Sequence, residues 1–175
     1  MKDNATFAGI SVNKINLNNR TEYIREARVK YDSYNTSEWK KKYFDENTGG
    51  YLVVEKDRIY QSQKSKNEKE KFNREQGMNM ILARNGHSVE HLYDQEKEKY
   101  DIRLDGINTE LKKTGSHNNM VNYAKDAIRK KGANMVVFEF ENNTKKIQEE
   151  LNKLKRLGIK TMYYFSNDKS KIHTL

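Results

Sequence analysis

Cysteine and proline are both absent from this 175-residue chain. Without cysteine there are no disulfides and no thiolate metal sites. Without proline, the breaks between elements must be read from glycine and asparagine. Long apolar runs are missing too: no stretch approaches the ~18 apolar residues of a membrane-spanning helix. Met1 to Ile10 lacks the apolar core of a signal peptide. Acidic residues are in deficit, with 25 Asp plus Glu against 34 Lys plus Arg and a net charge of +9. Such a field attracts polyanions, nucleic acid first and an anionic membrane surface second. Hydrophobic residues make up 34% and charged residues 34%, so the core must be small. The length suits one domain with an accessory segment.

Residues 1–60 read as a polar N-terminal accessory segment, with one helix near Thr21 to Tyr31 and a short strand at Tyr51 to Val54 after Gly49-Gly50. Residues 61–175 read as the main domain. A helix begins near Glu68 and is closed by Asn85-Gly86, and a strand follows over Ser88 to Tyr93. Asp105-Gly106 is a strong two-residue hairpin signal between Tyr100–Leu104 and Ile107–Lys112. Asn118 to Lys131 reads as a helix, capped by Ser116 or Asn118 and closed by Gly132. Met135 to Phe140 reads as a central strand, and Thr144 to Leu157 as an amphipathic helix closed by Gly158. Ile159 to Phe165 is a further strand. The class is therefore α/β, a mixed sheet flanked by helices.

The hairpin register concentrates the chemistry. With Asp105 and Gly106 as the loop, Leu104 pairs with Ile107, and the ladder runs back to place Asp101 opposite Glu110. One face then shows Ile102, Leu104, Ile107, Thr109 and Leu111. The other shows Asp101, Arg103, Asn108, Glu110 and Lys112. Two opposed carboxylates repel, and a divalent cation removes that conflict. Mg²⁺ or Mn²⁺ takes one or two carboxylates, water and a substrate phosphate, with the Leu111 carbonyl as a further candidate ligand. The Lys112 ammonium, on the same face, would orient an attacking water or offset phosphate charge. The plain alternative is a solvated hairpin face, where charge alternation is routine.

Basic residues follow the motif. Lys113, Lys125 and Arg129, with Ser116, His117 and Asn118 in the intervening loop, form a candidate surface for nucleic-acid phosphates. His117 is also placed to give a proton to a leaving oxygen, and an ordinary loop histidine is the competing reading. His87 and His91 lack further ligands at zinc spacing and read as surface or core histidines.

Asp101, eight intervening residues and then Glu110-Leu111-Lys112 resembles the bipartite motif of the PD-(D/E)XK nucleases, with Tyr100 where that motif has proline. The resemblance covers about residues 68–165 and implies a restriction-endonuclease-like fold. It also implies that the preceding helix supplies another acid, Glu75, with Glu68 and Glu70 as rivals. Asn85-Gly86-His87, Tyr100-Asp101-Ile102, Glu110 to Lys113, Ser116 to Asn119 and Lys131-Gly132-Ala133 look similar to C-terminal nuclease domains of bacterial contact-dependent inhibition toxins and related phage or mobile-element proteins. That resemblance implies cleavage of tRNA or DNA in a target cell, restraint by a cognate immunity protein, and delivery within a larger secreted or phage protein to a cytoplasmic site of action. Two other readings stand beside it: a nucleic-acid-binding module that does not cut, and a phage structural module.

Overall fold

The computed structural model describes residues 4–7, 10–13, 17–93 and 99–175. The chain forms two compact units, one of Met1–Tyr93 with Arg103–Gly106 and one of Asp94–Ile102 with Ile107–Leu175. The boundary expected near residue 60 falls inside the first unit. The reason is the apolar run after Gly50, which pairs with a strand from the other side of that boundary.

In the first unit, a small antiparallel pair, β1 (Asn4–Phe7) and β2 (Ile10–Asn13), precedes helix α1 (Leu17–Ser33). Strands β3 (Trp39–Phe44) and β4 (Tyr51–Glu55) are antiparallel, and β4 runs parallel to β5 (Ser88–His91). Strand β6 (Ile102–Leu104) is next in order after β5. Tyr51 to Val54 are all buried, as expected of a strand covered on both sides. Helix α2 (Lys56–Ser62) leads into α3 (Lys66–Arg84). That helix starts earlier than its apolar pattern suggested, because the Ser65 hydroxyl accepts the Glu68 N–H at 3.1 Å in a capping-box sequence. At Gly50 a Cβ would stand 2.0 Å from the Ala83 carbonyl oxygen, so only glycine lets β4 start so close to the end of α3.

In the second unit, β7 (Ile107–Thr114), β8 (Met135–Phe140) and β9 (Thr161–Phe165) run parallel, and β10 (Asp168–Thr174) returns antiparallel on β9. Helices α4 (Met120–Lys131) and α5 (Lys145–Arg156) supply the crossovers. Thr144 caps α5 by accepting the Ile147 N–H at 3.2 Å, and Ile147, Leu151 and Leu154 are buried as their spacing predicted. Their core partners are Met120, Ala124 and Ala127 of α4 with Val136, Phe138 and Phe140 of β8. The mixed sheet with flanking helices is therefore as expected, each unit carrying antiparallel and parallel pairs.

Two local expectations change. Helix α4 takes no side-chain cap from Ser116 or Asn118 and begins after Asn119, whose φ is +62°. The loop hydroxyls bond within the loop: Ser116 Oγ accepts the Asn118 N–H at 3.1 Å, and Thr114 Oγ1 accepts the Ser116 N–H at 3.0 Å. The two turn residues after β6, Asp105 and Gly106, both have positive φ (50° and 79°), as a two-residue hairpin loop requires.

Candidate functional site

The Asp101 N–H donates to the Thr109 carbonyl at 3.2 Å, the carbonyl that a continuous ladder would give to the Ile102 N–H. Asp101 stands just outside β6, and its carboxylate turns to accept the Leu111 N–H at 2.9 Å. At the next peptide, the Leu111 carbonyl accepts the Tyr123 hydroxyl at 2.9 Å. That hydroxyl also lies 2.8 Å from Glu110 Oε1. Both ends of the Glu110–Leu111–Lys112 segment are thus held by side chains from outside β7.

Glu110 is 2% exposed, so the solvated-face reading does not hold at this residue. Its Oε1 accepts from Tyr123 and from the Lys131 ammonium. Its Oε2 is buried and has no hydrogen-bond partner. Burying such an atom costs about 1–3 kcal/mol unless something answers it. Lys112 is exposed, with its ammonium 4.9 Å from the Tyr123 ring centre. Side chains alternate along a strand, so Glu110 and Lys112 share the β7 face on which Tyr123 packs.

Sequence reasoning missed Tyr123 as a site residue and named Lys131 only as the end of the helix and in the Lys131-Gly132-Ala133 resemblance. The signal was there. Tyr123, Ala127 and Lys131 are spaced i, i+4, i+8, one line along a helix. The small residue in the middle sits between two long polar-tipped ones.

Lys113 points to the opposite face of β7, where it pairs with Glu139 at 3.1 Å. Glu139 also accepts the Tyr164 hydroxyl at 2.9 Å and the Ser166 hydroxyl at 2.7 Å. Burial alone would raise the Glu139 pKa, but the bonds from Ser166, Tyr164 and Lys113 outweigh it and leave the group below the usual carboxylate range. Lys113 is therefore an exposed cation paired with a buried acid on the face opposite Lys112. Ser116 and Asn118 lie in the exposed loop, and the His117 carbonyl accepts the Met120 N–H at 3.4 Å. Lys125 and Arg129 line a groove with Lys160.

Glu75, the acid implied by resemblance, belongs to the first unit. Its Oε2 receives Arg58 at 2.9 Å and His91 Nε2 at 2.8 Å, and its Oε1 faces Lys71 at 3.6 Å. Burial pushes its pKa up, yet His91, Arg58 and Lys71 together hold it down to about 2. Gln76 Nε2 meets His91 Nδ1 at 2.6 Å, so the amide donates to Nδ1 and the ring proton sits on Nε2, toward Glu75. Burial, with Arg58 and Lys71, keeps the His91 pKa below its ordinary value even against Glu75. His87, the other histidine read as ordinary, meets the Asp105 carboxylate at 2.7 Å. Among the described residues no group of three or more His, Asp or Glu is placed to hold a metal ion. What the site offers a cation is Glu110 Oε2 and the Asp101 carboxylate, the latter tied to the Leu111 N–H beside Glu110. Such a donor set fits one hard ion whose remaining ligands are water and phosphate.

No protein-family model matches the chain, and no curated protein matches it. Among solved structures, it is similar to a chain of the CdiA-CT/CdiI toxin and immunity complex from Burkholderia pseudomallei. The TM-score is 0.50 and the identity 14%, over 65% of this chain and 89% of that one. At this identity the likeness is one of fold. No helix among the described residues is long and apolar enough to cross a membrane.

Proposed function

We propose that the second unit carries a metal-dependent nuclease site of the PD-(D/E)XK kind, in a toxin-type domain. The single observation that carries this reading is Glu110 Oε2: a buried carboxylate oxygen with no protein donor, on the acid that the motif names. Asp101 and Glu110 would hold Mg²⁺ or Mn²⁺, which when bound polarises a phosphodiester and supplies an activated water. Tyr123 and Lys131 keep the Glu110 carboxylate in place. Lys112 stands on the same face, ready to orient water or to offset charge on the phosphate. The Leu111 carbonyl is already engaged by Tyr123, so it is the weakest of the ligands named. Glu75 is left out of the donor set, because both its oxygens are answered by cations or His91.

The net charge of +9 and the basic groove favour a polyanionic substrate. The fold likeness to a chain of a toxin and immunity complex supports a toxin-type role and a cognate inhibitory partner. Through the motif resemblance, tRNA is the first substrate and DNA the second, met in the cytoplasm of a target cell after delivery within a larger protein.

A second reading, a nucleic-acid-binding module that does not cut, is favoured by the lack of a third acid at the site among the described residues and by the hold of Lys131 on Glu110. The two readings part in one experiment: total RNA and plasmid DNA incubated with the protein, with Mg²⁺ and with chelator. Cleavage that needs the metal and vanishes in Asp101→Asn supports the nuclease. Binding without cleavage in either condition selects the module, whereas Asp101→Asn cutting at the wild-type rate overturns the assignment of the metal site to Asp101.

A further inference from the structure

The second unit has a groove of about 410 Å³ where the end of α4 meets the turn before β9. That size lies in the range of about 300–1,000 Å³ common to small-ligand sites. Ile128 and Leu157 supply apolar surface, and Lys125, Arg129 and Lys160 supply charge, with no acid in the lining. Most other cations nearby are answered: Lys113 by Glu139, Lys130 by Asp126, Lys131 by Glu110 and Lys153 by Glu150. Lys125, Arg129 and Lys160 have no ion pair among the described residues. Leu157 is 51% exposed, a large apolar side chain left in water beside three positive charges. The groove therefore suits a ligand that is flat and apolar on one side and negative on the other.

Asn134 joins this groove to the proposed site. It lines the groove, and its N–H donates to the Asn108 carbonyl at 2.8 Å, two residues before Glu110. Its side-chain amide is exposed and carries a paired donor and acceptor, the form that reads a base edge.

We propose that this groove binds one unstacked nucleotide of a single-stranded segment, a specificity subsite beside the nuclease centre. Phosphates rest on Lys125, Arg129 and Lys160, the base lies on Ile128 and Leu157, and Asn134 meets its edge. An intact duplex would offer only phosphates, because its bases stay stacked. The inference rests on the nuclease reading and narrows its substrate to loops, ends and other unpaired stretches.

The test is fluorescence anisotropy in chelator, so that nothing is cut, with a labelled single-stranded oligoribonucleotide and a duplex of the same sequence. Leu157→Ser, at a half-exposed position, should weaken single-strand binding by about 10-fold with the salt slope unchanged and duplex binding intact. Lys160→Ala should weaken both and lower the salt slope by about one. Asn134→Ala should change the ranking of homopolymers. Leu157→Ser acting on both probes alike, or on neither, overturns the subsite. If the wild type cuts RNA in Mg²⁺ and Leu157→Ser is silent, the nuclease stands and the groove assignment falls. If the wild type neither cuts nor binds nucleic acid, both fall. Binding of polyglutamate that Leu157→Ser abolishes, with RNA binding untouched, would assign the groove to an acidic protein and overturn the proposal.

Discussion

Glu75 in the first unit is 5% exposed and Glu110 in the second is 2% exposed, and each meets a basic side chain. Their oxygens differ. Glu75 has cations or a histidine N–H on both, from Arg58, His91 and Lys71. Glu110 has two donors on Oε1 and none on Oε2. Their partners differ as well. Arg58 is 2% exposed and gives Nη2 to Glu75, whereas the Lys131 side chain is 31% exposed and has water within reach. A buried acid with a cation or an N–H facing each oxygen holds its unit together. A buried acid left half-answered keeps capacity for something that the chain does not supply.

The largest effect that tests this contrast is on cleavage. Glu110→Gln and Asp101→Asn should each lower Mg²⁺-dependent cleavage by about two orders of magnitude or more, with melting temperatures near wild type. Lys112→Ala should lose a similar factor while still binding Mg²⁺, which calorimetric titration would show. Glu75→Gln should cut at close to the wild-type rate wherever it is folded. Loss of cleavage in Glu75→Gln at an unchanged melting temperature would instead make Glu75 a ligand and collapse the contrast.

Much of the second unit could be read in the chain beforehand. Met135–Phe140 is a strand to the residue, and α5 keeps its stripe and its glycine closure. These segments have strong periodicity and local stop signals, so tertiary packing had little to override. Strand β3, with its run of lysines, and β10, with Lys169 and Lys171, were not legible, because edge strands carry charge rather than an apolar alternation. At the site, residue types and spacing picked out Asp101, Glu110 and Lys112. The Asp101 N–H on the Thr109 carbonyl and the Asp101 carboxylate on the Leu111 N–H could not be read, since alternation along a strand says nothing of irregular backbone bonds at its end. Nor could the split of Lys112 from Lys113 onto opposite faces with opposite fates be weighed without Glu139, which lies on another strand. The role assigned to Glu75 followed from helix order alone, and the ring of partners that claims it comes from α2 and β5.

The next effect is on stability. Glu75→Gln leaves the buried Arg58 guanidinium with only the partly exposed Glu68 carboxylate, 3.8 Å away, and should cost about 3 kcal/mol, read from denaturant unfolding. The pH dependence has a definite sign. The Glu75 carboxyl is held down to about 2 in the folded chain against an ordinary 4.5, so its stabilisation is full above pH 4.5 and is lost as pH falls toward 2. His91 is also depressed, below 6.5, so it too weakens the fold only as pH falls below that value. Wild type should therefore lose melting temperature steadily on the acid side. Glu75→Gln should show a flatter decline between pH 4.5 and 2. Parallel curves for the two proteins would mean that the cluster contributes no such acid limb.

The smallest effect is the most specific to Glu110. Lys131→Met removes the ammonium from Oε1 and leaves the Tyr123 hydroxyl as the one donor named there. The carboxylate then lacks a counter-charge, and the loss should be about 1–3 kcal/mol in chelator. A divalent cation that binds Asp101 and Glu110 would restore that charge, and a ligand that binds only the folded state stabilises it by mass action. Mg²⁺ or Mn²⁺ should therefore raise the melting temperature of Lys131→Met more than that of wild type, where the ammonium already answers Oε1. Adding Glu110→Gln to Lys131→Met should abolish the extra gain, because the charge to be answered is gone. The measurement does not depend on cleavage, so it separates a site that holds metal from a site that cuts. If Lys131→Met melts at one temperature with and without the cation, Glu110 is a second structural glutamate, and the difference drawn between it and Glu75 is one of geometry alone.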